Sequence, residues 1–192
     1  MSSSDPTYLV AFKEYTKSTA TSADREAMEQ EFYGESDRAC VILQASWVEL
    51  MVERAIRSML RAEGASKIFD TNGPLGQFSD KILLGYGLEI FGTKTRHDLD
   101  LIRYLRNGFA HCQLPLRFST PEVKAICNNL HLPDIEHNRA TPLQLFDRAV
   151  DGGGAWHDKA HPRERYVICC YTIIAGLHLP PTRLPREAPE LP

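Results

Sequence analysis

Ala39-Cys40-Val41-Ile42-Leu43-Gln44-Ala45-Ser46-Trp47-Val48-Glu49-Leu50-Met51-Val52 places apolar side chains at almost every angle of a 3.6-residue wheel. A helix that is apolar nearly all round is buried on most sides. This stretch therefore predicts the central helix of a bundle, from about Asp37 to Arg61, with Gly64 as a suitable stop. Downstream, Asn72-Gly73-Pro74-Leu75-Gly76 reads as a turn with Pro74 suited to a first helical position. Phe78, Ile82, Leu83, Tyr86 and Ile90 then continue at helical spacing. A third helix is expected from Thr95, whose hydroxyl can cap it with Asp98 three residues on, through to His111. Ser119-Thr120-Pro121-Glu122 and Thr141-Pro142-Leu143-Gln144 both set a capping hydroxyl, a proline and a Glu or Gln in the order that starts a helix. A last helix is expected near Pro162, burying Val167, Ile168, Ile174 and Leu177. Upstream, Asp24 to Tyr33 suits a short polar helix packing through Met28 and Phe32. No window alternates with the period of a strand and no internal repeat is present. The expected class is all-α, an antiparallel helical bundle.

The 192 residues, 43% hydrophobic and 24% charged, suit one globular domain with loose ends. Residues 1–22, rich in Ser and Thr, read as a flexible N-terminal segment and 23–178 as a single helical domain. Residues 179–192 read as a proline-rich tail, because five prolines in the last thirteen residues rule out helix. Asp151-Gly152-Gly153-Gly154 reads as a hinge, since a phosphate loop would need a lysine, a Ser or Thr and a preceding strand. A net charge of -3 excludes a surface that is wholly a nucleic-acid footprint, though not a local basic patch. The five cysteines, Cys40, Cys112, Cys127, Cys169 and Cys170, are odd in number and lie in apolar or helical surroundings. They read as free thiols in a reducing compartment. Met1-Ser2-Ser3-Ser4-Asp5 lacks the basic start of a signal peptide, and Tyr166 to Leu177 is too short for the roughly 20 residues a bilayer takes. A cytoplasmic protein without a membrane partner is expected.

The segment richest in chemistry is Arg106-Asn107-Gly108-Phe109-Ala110-His111. Leu101, Ile102, Leu105 and Phe109 share one face of the third helix, and Asp100, Arg103, Asn107 and His111 share the other. Arg106 falls on the edge of the apolar stripe, where a guanidinium needs a carboxylate; Glu49 and Glu53 on the central helix are the expected partners. On spacing alone, Arg106 and Asn107 are helix-to-helix hydrogen bonders and His111 complements the negative end of the helix dipole.

Arg106 and His111, with Asn107 after the arginine, resemble the Arg-x4-His motif of the HEPN superfamily of helical domains. The surrounding text resembles the mannitol operon repressor family. The residues that carry this are Asp37-Arg38-Ala39-Cys40, Gly73-Pro74-Leu75-Gly76-Gln77-Phe78-Ser79, Lys81-Ile82-Leu83-Leu84-Gly85-Tyr86-Gly87-Leu88, Asp98 to Arg103 and Phe118-Ser119-Thr120-Pro121-Glu122. The resemblance covers roughly residues 36–130, about half the chain. It implies a bundle of HEPN type, most simply a homodimer, and two functions. The first is an RNA-directed regulatory or defence domain, in one form a metal-independent endoribonuclease. There His111 would move protons between the 2′-hydroxyl and the leaving 5′-oxygen, Arg106 would stabilise charge on the phosphate, and Asn107 would orient the phosphate or the imidazole. The alternative is a non-catalytic transcriptional regulator or protein-interaction module, with a protein partner or antitoxin. Five residues of straight helix separate Arg106 and His111 by about 140°. Convergence needs a distortion, most simply at Gly108, or a second subunit.

Lys94, Arg96, Arg103 and Arg117 are candidate phosphate contacts around the same helix. Arg163 and Arg165 open the last helix against the dipole preference, which is either indifferent or a sign of an acidic partner. The tail prolines Pro181, Pro185 and Pro189 suit a plain tail better than an aromatic groove. His157 and His161, four apart, have the spacing of metal ligands but flank a turn and lack a third ligand, so no metal and no cofactor is expected.

Overall fold

The computed structural model describes residues 36–60, 65–112, 114–134 and 161–178. The chain divides into two units, residues 1–35 and 36–192, and the first lies wholly outside the described residues. So do the expected helix at Asp24–Tyr33, the stop at Gly64, the helix start at Thr141, the glycine hinge and the proline-rich tail.

The second unit is built from α1 (Asp37–Met59), α2 (Ala65–Ile68), α3 (Phe78–Gly87), α4 (Thr93–His111), α5 (Pro121–Asn128) and α6 (Pro162–His178). One further helical turn lies at 132–134, and no strand occurs among the described residues. The class is all-α. No helix among these residues is long and apolar enough to cross a membrane.

The near-uniform apolar wheel of α1 has the expected consequence. This helix packs against α3, α4 and α6, and Val41, Val48, Val52 and Ile56 are completely enclosed. They meet Ile82 of α3, Leu99, Ile102 and Phe109 of α4, and Tyr166, Cys169 and Cys170 of α6 in one continuous core. Each such aliphatic side chain stabilises the fold by about 1.5–3 kcal/mol relative to exposure. The Tyr166 hydroxyl donates to the Val41 carbonyl at 3.0 Å, so α6 is pinned to α1 by a polar bond inside the apolar layer. Cys40, Cys112, Cys127, Cys169 and Cys170 are free, and all but Cys112 are buried. Burial pushes the Cys40 thiol up to about 11 and Cys127 up to about 12, so these sulfurs pack as small apolar groups, not as nucleophiles.

The starts of helices differ from expectation in three places. Pro74 sits in the turn before α3, and the helix begins only at Phe78. That turn is tight: a Cβ on Gly73 would lie 2.4 Å from the Lys67 carbonyl oxygen, and one on Gly76 would lie 2.5 Å from that of Thr71. Helix α4 begins at Thr93, not Thr95, and has no side-chain cap. Asp98 turns inward to another element in place of closing a capping box. Thr120 precedes Pro121 as expected, but its hydroxyl accepts from the Arg117 N–H at 3.0 Å and leaves α5 uncapped by a side chain.

Two buried cations fix how the helices meet. Lys81 of α3 is only 5% exposed, and its ammonium lies 2.8 Å from both Glu49 Oε1 and Glu53 Oε2 of α1. Burial works against the charge, but hydrogen bonds and attraction from the two glutamates outweigh it and hold Lys81 above its ordinary 10.5. Arg165 of α6 has no exposure at all. Its guanidinium donates to the Cys127 and Leu130 carbonyls at the end of α5, at 3.2 and 2.9 Å, and to Asp134 Oδ1 at 2.7 Å. The arginine that ran against the dipole of its own helix thus caps the negative end of another.

Replacing Arg165 with Met should cost about 3 kcal/mol in urea unfolding. It strands buried carbonyls, whereas Lys124→Met on the exposed side of α5 should stay within about 0.5 kcal/mol. Lys81→Met should cost about 2 kcal/mol at neutral pH by leaving two glutamates without their shared counterion. The raised Lys81 value means its contribution is complete at neutral pH and fades only as pH climbs through that value.

Candidate functional site

The Arg106–His111 segment ends α4, and the N-terminus of α1 holds it in place. Ser36 caps α1 by accepting from the Ala39 N–H at 3.3 Å, which aims the next two side chains across the bundle. Arg38 donates to the carbonyls of Phe109, of Cys112 at 3.2 Å and of Leu114 at 3.0 Å. Phe109 lies in the last turn of α4, whose carbonyls have no partner within the helix, and Cys112 and Leu114 follow directly after it. Asp37 accepts from the Phe118 N–H at 2.9 Å and from Arg163 Nη1 at 2.9 Å. Phe118 then stacks between Phe109 and Tyr166, with ring centroids 6.2 and 5.6 Å away. The Asp37-Arg38 pair therefore joins α1, the end of α4, the following loop and α6.

Within this frame α4 is one unbroken helix. The Cys112 N–H bonds the Gly108 carbonyl at 2.9 Å, and Gly108 introduces no distortion. Arg106 and His111 therefore lie about 140° apart around the axis, and one chain does not bring them together. Arg106 is half-buried and donates to Asn107 Oδ1 at 3.2 Å. Its expected carboxylates are engaged elsewhere, because Glu49 and Glu53 hold Lys81 and Glu53 also binds Arg57 at 2.8 Å. The expectation of an Arg106–glutamate pair is corrected: the deeper, shorter lysine of α3 occupies that carboxylate pair. His111 is exposed at the last position of the helix.

Of the candidate phosphate contacts, Arg96 and Arg103 fall with Asn107 and His111 in an arc of about 80° on one face of α4. Arg96 lies over the Tyr86 ring at 4.6 Å. Arg103 lies over Tyr104 at 4.4 Å and within 3.5 Å of Asp100. Tyr104 itself is 58% exposed. Lys94 projects from the far side of α4, and Arg117 lies exposed on the loop beyond it. The structure thus assembles a face with arginine, tyrosine, asparagine and histidine, and leaves Lys94 and Arg117 off it.

Among the described residues, one group offers metal-ligand atoms together: His97, Asp98 and His131, near the opposite end of α4. His161 is exposed, 3.9 Å from Glu164, and His157 lies outside the described residues. His97 and His131 stand 34 positions apart, so no local spacing marks them as a pair, and Asp98 has the spacing of a cap with Thr95.

No family model matches the sequence, and no curated protein matches it. Among solved structures, a chain of the X-ray structure of the MtlR–HPr complex from Escherichia coli is similar in fold. The TM-score is 0.57 at 20% identity, and the match covers 80% of this chain and 99% of that one. At that identity the likeness is one of fold, and the fold of this chain is MtlR-like.

Proposed function

We propose that this chain is a non-catalytic regulator that acts by docking a protein partner on the exposed face of α4, and that an HPr-like protein is the partner class. The observation that carries the reading is the unbroken α4. It keeps Arg106, tied to Asn107, away from His111, so a single chain lacks an assembled acid–base pair. The face that is presented suits recognition instead. Tyrosine and arginine supply most of the binding energy at protein interfaces, and here Tyr104 and Arg103 stack in the middle of the face. The solved neighbour of the same fold is, by its description, a complex with HPr.

The second reading is a metal-independent, RNA-directed endoribonuclease. Its support is the arc of Arg96, Arg103, Asn107 and His111, which suits a phosphate backbone. It requires a homodimer, in which the partner's copy of α4 brings histidine to arginine.

Calorimetric titration with HPr should give a Kd of about micromolar order, and Tyr104→Ala should weaken it about tenfold or more. Structured RNA incubated with the chain in EDTA should stay intact. Cleavage by the wild type that disappears in both Arg106→Ala and His111→Ala would overturn the regulator reading. Absence of HPr binding would remove this partner class. The straightness of α4 has its own check: a Cβ on Gly108 meets nothing nearer than Leu116 Cδ1 at 4.0 Å. Gly108→Ala should therefore stabilise the fold by about 0.5–1 kcal/mol, and a comparable loss would show that the helix needs to bend there.

A further inference from the structure

Asp98 is a carboxylate with no solvent exposure, and among the described residues no lysine or arginine faces it. Buried carboxylates are normally paired with a cation or bound to a metal. Oδ2 is accounted for by the backbone: it accepts from the His131 and Leu132 N–H groups at 3.0 and 2.8 Å, with Cys169 Sγ at 3.4 Å. Oδ1 also receives the His131 N–H at 3.0 Å. Two imidazoles then converge on the same oxygen, with His97 Nδ1 and His131 Nδ1 each 3.2 Å from it. The rings meet edge to face, centroids 4.4 Å apart at 71°, and the three donor atoms lie within 4.8 Å of one another.

Capping the turn at 132–134 explains the backbone bonds of Asp98. It does not explain why two histidines aim the same ring nitrogen at one buried oxygen. A metal shell does. Four ligand atoms placed tetrahedrally about 2.0–2.1 Å from an ion stand about 3.3 Å from each other, close to the 3.2 Å from Asp98 Oδ1 to each imidazole nitrogen, and all three atoms lie within 4.8 Å of one another. Hydrogen bonds to Leu132 and Cys169 hold the carboxylate in orientation, as outer-shell groups do around metal ligands. The His97 and His131 side chains are 43% and 46% exposed, so an ion has a path from solvent and water can complete the shell.

We propose that His97, Asp98 and His131 form a binding site for a divalent transition-metal ion of the zinc class. Two imidazole nitrogens and one carboxylate oxygen suit zinc, cobalt or nickel rather than calcium or magnesium, which prefer all-oxygen shells. Each histidine coordinates through Nδ1 as the neutral ring with its proton on Nε2, and any proton on Nδ1 passes to solvent. The ion ties the first turns of α4 to the segment after α5. It sits about 20 Å along α4 from His111 and about 10 Å from Tyr104, next to Arg96.

The test uses the full chain stripped of metal with EDTA and titrated calorimetrically with Zn2+, followed by thermal unfolding with and without the ion. One equivalent should bind. At about a hundredfold excess over the Kd, the melting temperature should rise by roughly 5 °C or more. His97→Ala and His131→Ala remove half-exposed side chains and leave the backbone bonds of Asp98 in place, so both should fold. Each should abolish binding and the thermal shift, while His161→Ala should keep both. No binding by the wild type, or binding that survives His97→Ala and His131→Ala, overturns the proposal.

Discussion

A helix that ends inside a protein leaves carbonyl groups with no water to bond, and each must find a donor from another element. In this fold α5 ends that way, α4 ends half-covered near the surface, and arginines from neighbouring helices hold both ends. Arg38 reaches from α1 to the Phe109 carbonyl in the last turn of α4 and to Cys112 and Leu114 just beyond it, and Arg165 reaches from α6 to Cys127 at the end of α5 and to Leu130 just beyond it. Burying a guanidinium costs several kcal/mol, which bonds worth about 1.5–3 kcal/mol each roughly offset. The net gain in stability is therefore small, whereas losing one partner is expensive. What these bonds contribute is direction: they set where two helices stop and which helix each stop faces. Asp98 does the converse for a helical start, accepting the N–H groups of His131 and Leu132. The buried Arg165 and Asp98 and the half-buried Arg38 thus stitch together elements that the apolar core alone would leave free to slide.

This division of labour explains what the sequence disclosed and what it withheld. Apolar periodicity exposed the central helix, because Val41, Val48, Val52 and Ile56 must be enclosed whatever their partners are. The extent of α6 and the buried free cysteines were legible for the same reason. The long-range polar bonds were not. Glu49 and Glu53 were assigned to Arg106 because spacing along a helix cannot say which cation arrives from another helix. The lysine that occupies them, Lys81, stands 32 positions from Glu49, and no local spacing links the two. Arg165 looked misplaced at a helix start because the carbonyls it serves belong to a helix whose last residue lies some 35 positions earlier. Thr95 and Asp98 looked like a local cap because the inward turn of Asp98 depends on His131, which no local pattern connects to it.

The same limit bears on the Arg-x4-His string. Five residues on a straight helix put the two side chains on different faces, so the motif carries acid–base chemistry only through a second copy of the chain or a bend. The clamp by Asp37 and Arg38 works against a bend, since it holds the last turn of α4 by its carbonyls and by the Phe109–Phe118 contact. Among the residues that carry the resemblance to the mannitol operon repressor family, Asp37 and Arg38 hold the scaffold. A resemblance that rests on them speaks for the fold, which a TM-score of 0.57 supports, more than for any chemistry at the end of α4.

Helix α4 therefore has two ends with opposite electrostatic characters. At its C-terminal end an arginine satisfies the exposed carbonyl dipoles, and the outer face shows Tyr104, Arg103, Asn107 and His111 to a partner. Near its N-terminal end a buried carboxylate gathers two imidazoles. A rigid helix couples the two only as a lever, because each end is fastened to a different neighbour: the first to α1 and the loop at Phe118, the second to the segment after α5. Anything that tightens the Asp98 cluster steadies the base of that lever about 20 Å from His111. Partner affinity and the strength of the His97–Asp98–His131 cluster are then linked only so far as α4 moves as one piece.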